Sequence, residues 1–336
     1  MTKIDIISGF LGAGKTTFIK KLLEEAIVGE QVVLIENEFG EIGIDGGFLK
    51  DSGIEIREMN SGCICCSLVG DFGRSLSEVL VQYHPDRIII EPSGVGKLSD
   101  VMRAVRDVAS HIEVTLNSAV TIVDAAKCKM YMKNFGEFFN NQIEYAGTIV
   151  MSRTDIADAD RVQKAMELIR LHNQKATIIT TPCSQLSGAQ LLEIIEKPDT
   201  MEADLLAEVT EHDHEEHEHH DHNHHEHEET CDCGCHDHAH HHADEVFQSW
   251  GMETIVPCDR EELDAILDEL ANGSDYGEVL RAKGMLPSDN PGEWFYFDLV
   301  PDEYEIRTGS PDYTGKVCVI GAKLEEEKLN KAFGRS

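Results

Sequence analysis

Short apolar runs rich in β-branched residues alternate with longer stretches in which apolar residues recur every three or four positions, as far as about residue 200. The runs predict strands at 3–8, 31–36, 54–58, 86–91, 113–123, 147–151 and 176–180. The longer stretches predict amphipathic helices near 15–28, 67–82, 97–109, 137–146, 158–172 and 187–196. Strands that alternate with helices in this way predict an α/β fold, with a largely parallel sheet covered on both faces. Its ligand is expected at the carboxyl ends of the strands. From Val246 the pattern changes to strand 251–257, helix 260–271, strands 278–283, 293–299 and 316–323, and helix 324–333. That β-α-β-β-β-α order predicts a small α+β module with an antiparallel sheet.

Between the two parts the periodicity vanishes. Residues 211–242 hold 14 of the 17 histidines and 11 acids, with no Lys or Arg. With nothing apolar to bury, this stretch is expected to be a disordered, self-repelling tether. Three regions follow: 1–200, a linker at 201–245, and 246–336. Composition sharpens this picture. Lys and Arg number 29 against 63 Asp and Glu, a net charge of −34. Such a surface argues against nucleic acid or anionic membrane as partner and suits cations. No apolar run approaches the ~18–20 residues that span a bilayer, and the first motif begins too early for a signal peptide, so the cytosol is the expected setting. There, ten cysteines read as metal ligands or redox centres rather than disulfides.

Chemistry enters with Gly9-Phe10-Leu11-Gly12-Ala13-Gly14-Lys15-Thr16-Thr17, which fits G-x-x-x-x-G-K-[ST] between a strand and a helix. This is the phosphate loop of a P-loop NTPase. Backbone N–H groups of Gly9, Gly12, Ala13, Gly14 and Thr17 close on phosphate oxygens, Lys15 reaches the terminal phosphates and the Thr16 hydroxyl takes Mg²⁺. In the run Asp86–Gly94 an apolar strand delivers Glu91 towards Mg²⁺, and the Gly94 N–H is placed to sense the γ-phosphate. Ser152-Arg153-Thr154-Asp155 stands where base choice is made. The Asp155 carboxylate can accept from both N1–H and N2–H₂ of guanine, and Arg153 can lie over the base, so GTP is the expected nucleotide.

Metal chemistry has two candidate seats. Cys63, Cys65 and Cys66 stand ahead of the helix 67–82, whose dipole favours thiolates, and three sulfurs suit Zn²⁺ or a similar ion. In the loop Glu36–Asp45, where a nucleotide-sensing switch is expected, the acids, among them Glu36 and Glu41, are placed to ligate Mg²⁺, to supply a carboxylate to the thiol site, or to position the attacking water. The second seat is the arm, where His212, His214, His217, His219, His220, His222, His224, His225 and His227, with Cys231, Cys233 and Cys235, can bind several Zn²⁺, Co²⁺ or Ni²⁺ ions. Isolated His84, His111, His172, Cys128, Cys183, Cys258 and Cys318 are assigned no role.

The GFLGAGKTT loop, ENEFGEIGID, GCICC, EPSG and SRTD together resemble the CobW-type metallochaperone GTPases, kin of UreG and HypB. Leu280–Gly284, Glu293–Asp298 and Gly315–Val317 resemble that family's small C-terminal domain. The resemblance implies GTP hydrolysis coupled to transfer of a transition metal, commonly zinc, or to cobalt and cobalamin metabolism. The implied partner is a client metalloprotein or metal-pathway enzyme, and a homodimer is left open. Two rivals remain: a metal store whose release the nucleotide regulates, and a small-molecule kinase.

Overall fold

The first strand, β1 (Thr2–Gly9), carries Ile4, Ile6 and Ile7, all without solvent contact, because it lies in the middle of a sheet covered on both faces. In this computed structural model, which describes residues 1–36, 55–58, 69–197, 201 and 248–334, the chain divides into two units. The first comprises Met1–Asp199 with Pro311–Thr314, the second Thr200–Ser310 with Gly315–Ser336.

In the first unit β1 is followed by α1 (Lys15–Glu25), β2 (Val32–Glu36), β3 (Glu55–Glu58), α2 (Val69–Tyr83), β4 (Arg87–Glu91), α3 (Leu98–Ala109) and β5 (Val114–Asp124). Then come α4 (Cys128–Glu144), β6 (Thr148–Ser152), α5 (Ala159–His172), β7 (Thr177–Ile179) and α6 (Gly188–Glu196). The seven strands pair in parallel in the order β3-β2-β4-β1-β5-β6-β7. The chain steps outward from β1 to β2 and β3, returns through β4, then continues on the other side, so the strand order reverses beside β1. A crevice opens at such a reversal. Helix α1 forms because Phe18, Ile19, Leu22 and Leu23 make one apolar stripe, which joins Ile7, Val120, Ile122 and Val150 in a common core.

An ion network closes the amino-terminal part of this sheet. The Arg87 guanidinium, 2% exposed, is ion-paired with Asp5, with Glu30 at 2.8 Å and with Glu196 at 2.9 Å. Asn117 and Ser118 donate to Asp5, Asn117 and Lys3 donate to Glu196, and the carboxylates are thereby satisfied. Burial opposes the charge on Arg87, but the contacts with Glu30, Asp5 and Glu196 outweigh it and raise its pKa.

The second unit runs β8 (Gln248–Thr254), α7 (Arg260–Asn272), β9 (Glu278–Pro287), β10 (Trp294–Val300), β11 (Glu303–Gly309), β12 (Gly315–Ala322) and α8 (Glu326–Ala332). Its antiparallel sheet has the order β11-β10-β9-β12-β8. Leu263, Ile266, Leu267 and Leu270 of α7 share a core with Phe295, Phe297, Leu299, Val317 and Val319.

Four expectations need correction. Helix α4 starts at Cys128 rather than 137, since the chain stays helical through Gly136 with a kink at Phe135 (φ −135°, ψ 29°). Strand β8 spans 248–254 rather than 251–257, because Trp250, Met252 and Thr254 face inward and the chain leaves the sheet before Pro257. Strand β9 extends to Pro287 rather than 283. Strand β11 was not expected, which makes the order β-α-β-β-β-β-α: it is an edge strand joined to β10 by a two-residue turn, and Asp302 there has φ 67°. No helix among the described residues is long and apolar enough to cross a membrane.

Candidate functional site

The phosphate loop leaves β1 at Gly9 and enters α1 at Lys15. Gly9, Gly12 and Gly14 have φ of 147°, 70° and 104°, a region that side-chain-bearing residues avoid. A Cβ on Gly9 would also stand 2.5 Å from the Ile122 carbonyl oxygen. Gly14 is the N-cap of α1 and no side chain caps that end, which leaves the first-turn N–H groups for an anion. The cradle therefore fits phosphate.

Lys15 is nearly buried and its Nζ lies 3.7 Å from Oε1 of Glu91 at the tip of β4. Register places Glu36, the last residue of β2, directly beside Glu91, and Glu58 of β3 beside Glu36. Three glutamates thus end three neighbouring strands next to the loop. The Thr16 hydroxyl and the carboxylates of Glu36 and Glu91 are hard oxygen groups of the kind that could hold Mg²⁺. The buried hydroxyls of Ser8 and Ser93, on either side of this corner in sequence, have no hydrogen-bond partner among the described residues. Gly94 packs on the phosphate loop so tightly that a Cβ would meet the Leu11 side chain at 2.8 Å. Its loop is held from behind by Gln142 of α4, whose Nε2 donates to the carbonyls of Gly94 (3.1 Å) and Gly96 (2.9 Å).

At the other end of the loop, Ser152 at the tip of β6 donates to the Ala13 carbonyl at 2.7 Å. Arg153 follows with φ 60°; its Nη2 donates to the Gly12 carbonyl at 3.1 Å and its Nη1 lies 3.0 Å from Oδ2 of Asp124. The guanidinium thus bridges phosphate loop and β5, while Asp155, exposed, lies within the turn that follows. Cys183 lies near enough that its thiol pKa is pushed up, first by burial and further by the Asp155 carboxylate, with Lys21 opposing. For Cys128, burial and then Asp124 push the thiol up to about 12, which favours the protonated form.

Of the residues singled out in the sequence, the structure gathers Gly9, Gly12, Ala13, Gly14, Lys15, Thr16, Thr17, Glu36, Glu91, Gly94, Arg153 and Asp155 at the carboxyl edge of one sheet. Glu41, Cys63, Cys65, Cys66, and His212 through Cys235 lie outside the described residues. Among the described residues no three His, Cys, Asp or Glu side chains form a metal cluster. Sequence reasoning missed Asp124, Gln142 and the aromatic cage of Tyr131, Phe135 and Phe139 around Phe10, with ring centroids 4.6, 5.0 and 5.9 Å away. The run of aromatic residues spaced by four along α4 is the signal that could have found the cage.

Comparison with known proteins gives two family matches. Residues 3–180, over half of the chain, match the profile described as CobW/HypB/UreG, nucleotide-binding domain. Residues 247–336 match the cobalamin synthesis protein cobW C-terminal domain. The zinc chaperone CobW of a Sinorhizobium species is 33% identical over 216 residues, 56% of this chain and 61% of that protein. The zinc chaperone YeiR of Escherichia coli K12 is 35% identical over 155 residues, 46% of this chain and 47% of that protein. The matches thus span about half to three fifths of these relatives' lengths. The crystal structure of Zn(II)-bound YjiA GTPase from E. coli aligns at 21% identity and TM-score 0.40, covering 99% of this chain and 98% of that one.

Proposed function

This chain belongs to the CobW/HypB/UreG family, and on that footing we propose that it is a GTP-hydrolysing metallochaperone that hands Zn²⁺ to a client metalloprotein or metal-pathway enzyme in the cytosol. The observation that carries the reading is the row of strand ends Glu58–Glu36–Glu91 beside an uncapped phosphate loop. Cys63 follows Glu58 by five residues, and five residues reach at most about 18 Å. Zinc is the metal named for the relatives above, and thiolate ligands suit it.

In this reading the loop N–H groups and Lys15 bind the triphosphate, Glu91 holds the lysine in place, and Asp155 selects guanine. Thr16, Glu36 and Glu91 would hold Mg²⁺, which when bound neutralises charge on the β- and γ-phosphates. The cysteines hold the cargo ion, and the histidine arm gathers it. This reading requires that nucleotide state be felt by the ion.

Linkage makes the test direct. Zn²⁺ affinity, measured by competition with a chromophoric chelator, should differ about 5- to 150-fold between the GDP form and the form bound to a non-hydrolysable GTP analogue. Lys15→Ala should abolish the difference, and a passive store would still release metal in that variant. Equal affinity in empty, GTP-analogue and GDP forms would overturn the chaperone reading.

A further inference from the structure

We infer that Asp124 is a positioning residue for nucleobase selection: it anchors the Arg153 guanidinium and so holds Arg153 in the left-handed conformation that aims Asp155. The inference rests on the guanine-nucleotide reading proposed above and adds the group that makes its base recognition rigid.

Asp124 ends β5 directly beside Ser152, its register partner at the end of β6. Its side chain is 2% exposed. Oδ1 accepts from the Ala126 N–H at 3.0 Å, whereas Oδ2 accepts no aligned hydrogen bond and faces the Arg153 Nη1 at 3.0 Å, with Lys127 Nζ at 3.9 Å. Burying a carboxylate oxygen without a partner is costly, and the Arg153 guanidinium is the nearest cation to offset that cost. The attraction is strong because one partner is desolvated, although the arginine itself is 44% exposed.

What this attraction does is visible in the backbone. A residue with a Cβ resists φ of 60°, and Arg153 adopts it. The amides of Ile156 and Ala157 both donate to the Arg153 carbonyl, at 3.3 and 3.0 Å. They close the turn in which Asp155 lies. The direction of that carbonyl is set by the backbone angles of Arg153. Were Arg153 to relax to negative φ, the turn that these two bonds close would swing away as a unit and Asp155 would point elsewhere. The side-chain tether to Asp124 and Gly12 offsets the strain and keeps the carboxylate aimed. The Thr154 hydroxyl, buried and without a hydrogen-bond partner among the described residues, lies in the same turn.

The test contrasts variants that cut the tether with one that removes the strain. Dissociation constants for fluorescent GTP and ATP analogues are measured on the full chain with Mg²⁺. Asp124→Asn and Arg153→Ala should each lower the preference for GTP over ATP by about tenfold, equivalent to about 1.4 kcal/mol. Arg153→Gly should weaken both nucleotides, having lost the Gly12 contact, yet keep more of the preference than Arg153→Ala, because glycine meets no steric cost at positive φ. In the Arg153→Gly background, adding Asp124→Asn should change the preference no further. A loss of preference in that double variant, or its retention in Arg153→Ala, overturns the role of Asp124. Should Asp124→Asn fail to fold, the Ala-against-Gly contrast at exposed Arg153 decides alone. If the unaltered protein shows no preference for GTP, the guanine reading itself fails and this inference with it; a preference untouched by Asp124→Asn and Arg153→Ala defeats only the tether.

Discussion

Glu196 illustrates how much one carboxylate can hold. Burial, the largest influence on it, favours protonation, but hydrogen bonds from Lys3, Arg87 and Asn117 outweigh burial and keep its pKa below the ordinary 4.5. The folded state therefore binds fewer protons than the unfolded chain in this range, so its contribution to stability is complete above about pH 4.5 and is lost as pH falls through the lower folded value. Glu196→Gln should cost about 1–3 kcal/mol at neutral pH. Urea midpoints followed from pH 6 to pH 3 should fall less steeply in the variant than in the parent. Parallel slopes would mean that the carboxylate titrates alike in both states. Lys15 and Glu91 make a second instructive pair: each was expected at a separate ligand, phosphate and Mg²⁺, and the structure sets them 3.7 Å apart. A lysine that leans on the strand-tip acid is already aimed when phosphate arrives.

Among the elements, α4 carries the most that sequence did not disclose. Its Gln142 has no solvent exposure and holds the Gly94–Gly96 loop by two donated bonds. Gln142→Leu should preserve the helix, free both carbonyls, and lower single-turnover GTP hydrolysis by about tenfold, while the chain loses about 1–3 kcal/mol of stability. Unchanged turnover would make that contact purely structural. A polar residue inside an amphipathic helix reads as a surface position, and Gly136 reads as a helix stop, so neither Gln142 nor the start of α4 was legible. The phosphate loop, β4 and the strand ends at Glu36 and Glu91 were legible because their chemistry is local: glycines at fixed spacing, apolar runs, an acid at a tip. Strand β11 escaped because an edge strand buries little, and only Tyr304 and Ile306 mark its inner face. Asp124 escaped because its role depends on register with β6, which no neighbouring residue announces.

For the whole molecule, the 14 histidines of 211–242 concentrate imidazole in one tenth of the chain. Deleting 211–242 should cut Zn²⁺ capacity in equilibrium dialysis by several ions and leave phosphate release from GTP nearly intact; loss of turnover would contradict a modular arm. Capacity of the full chain should drop below about pH 6 as imidazoles with an ordinary pKa of ~6.5 protonate. The anchoring of Glu196 to Lys3 and Arg87 has a consequence for logistics. It fixes the last turn of α6 to the first residues of β1 and β4, so the described chain departs at Lys197 from the rim opposite Lys15. The eight residues of β1 span about 26 Å, while the fifteen from Lys197 to His212 stretch to about 50 Å at most. On the reading proposed above, an ion gathered by the histidines and received by the cysteines stays on one polypeptide throughout. Such a transit is unimolecular, and diluting the protein leaves its rate unchanged.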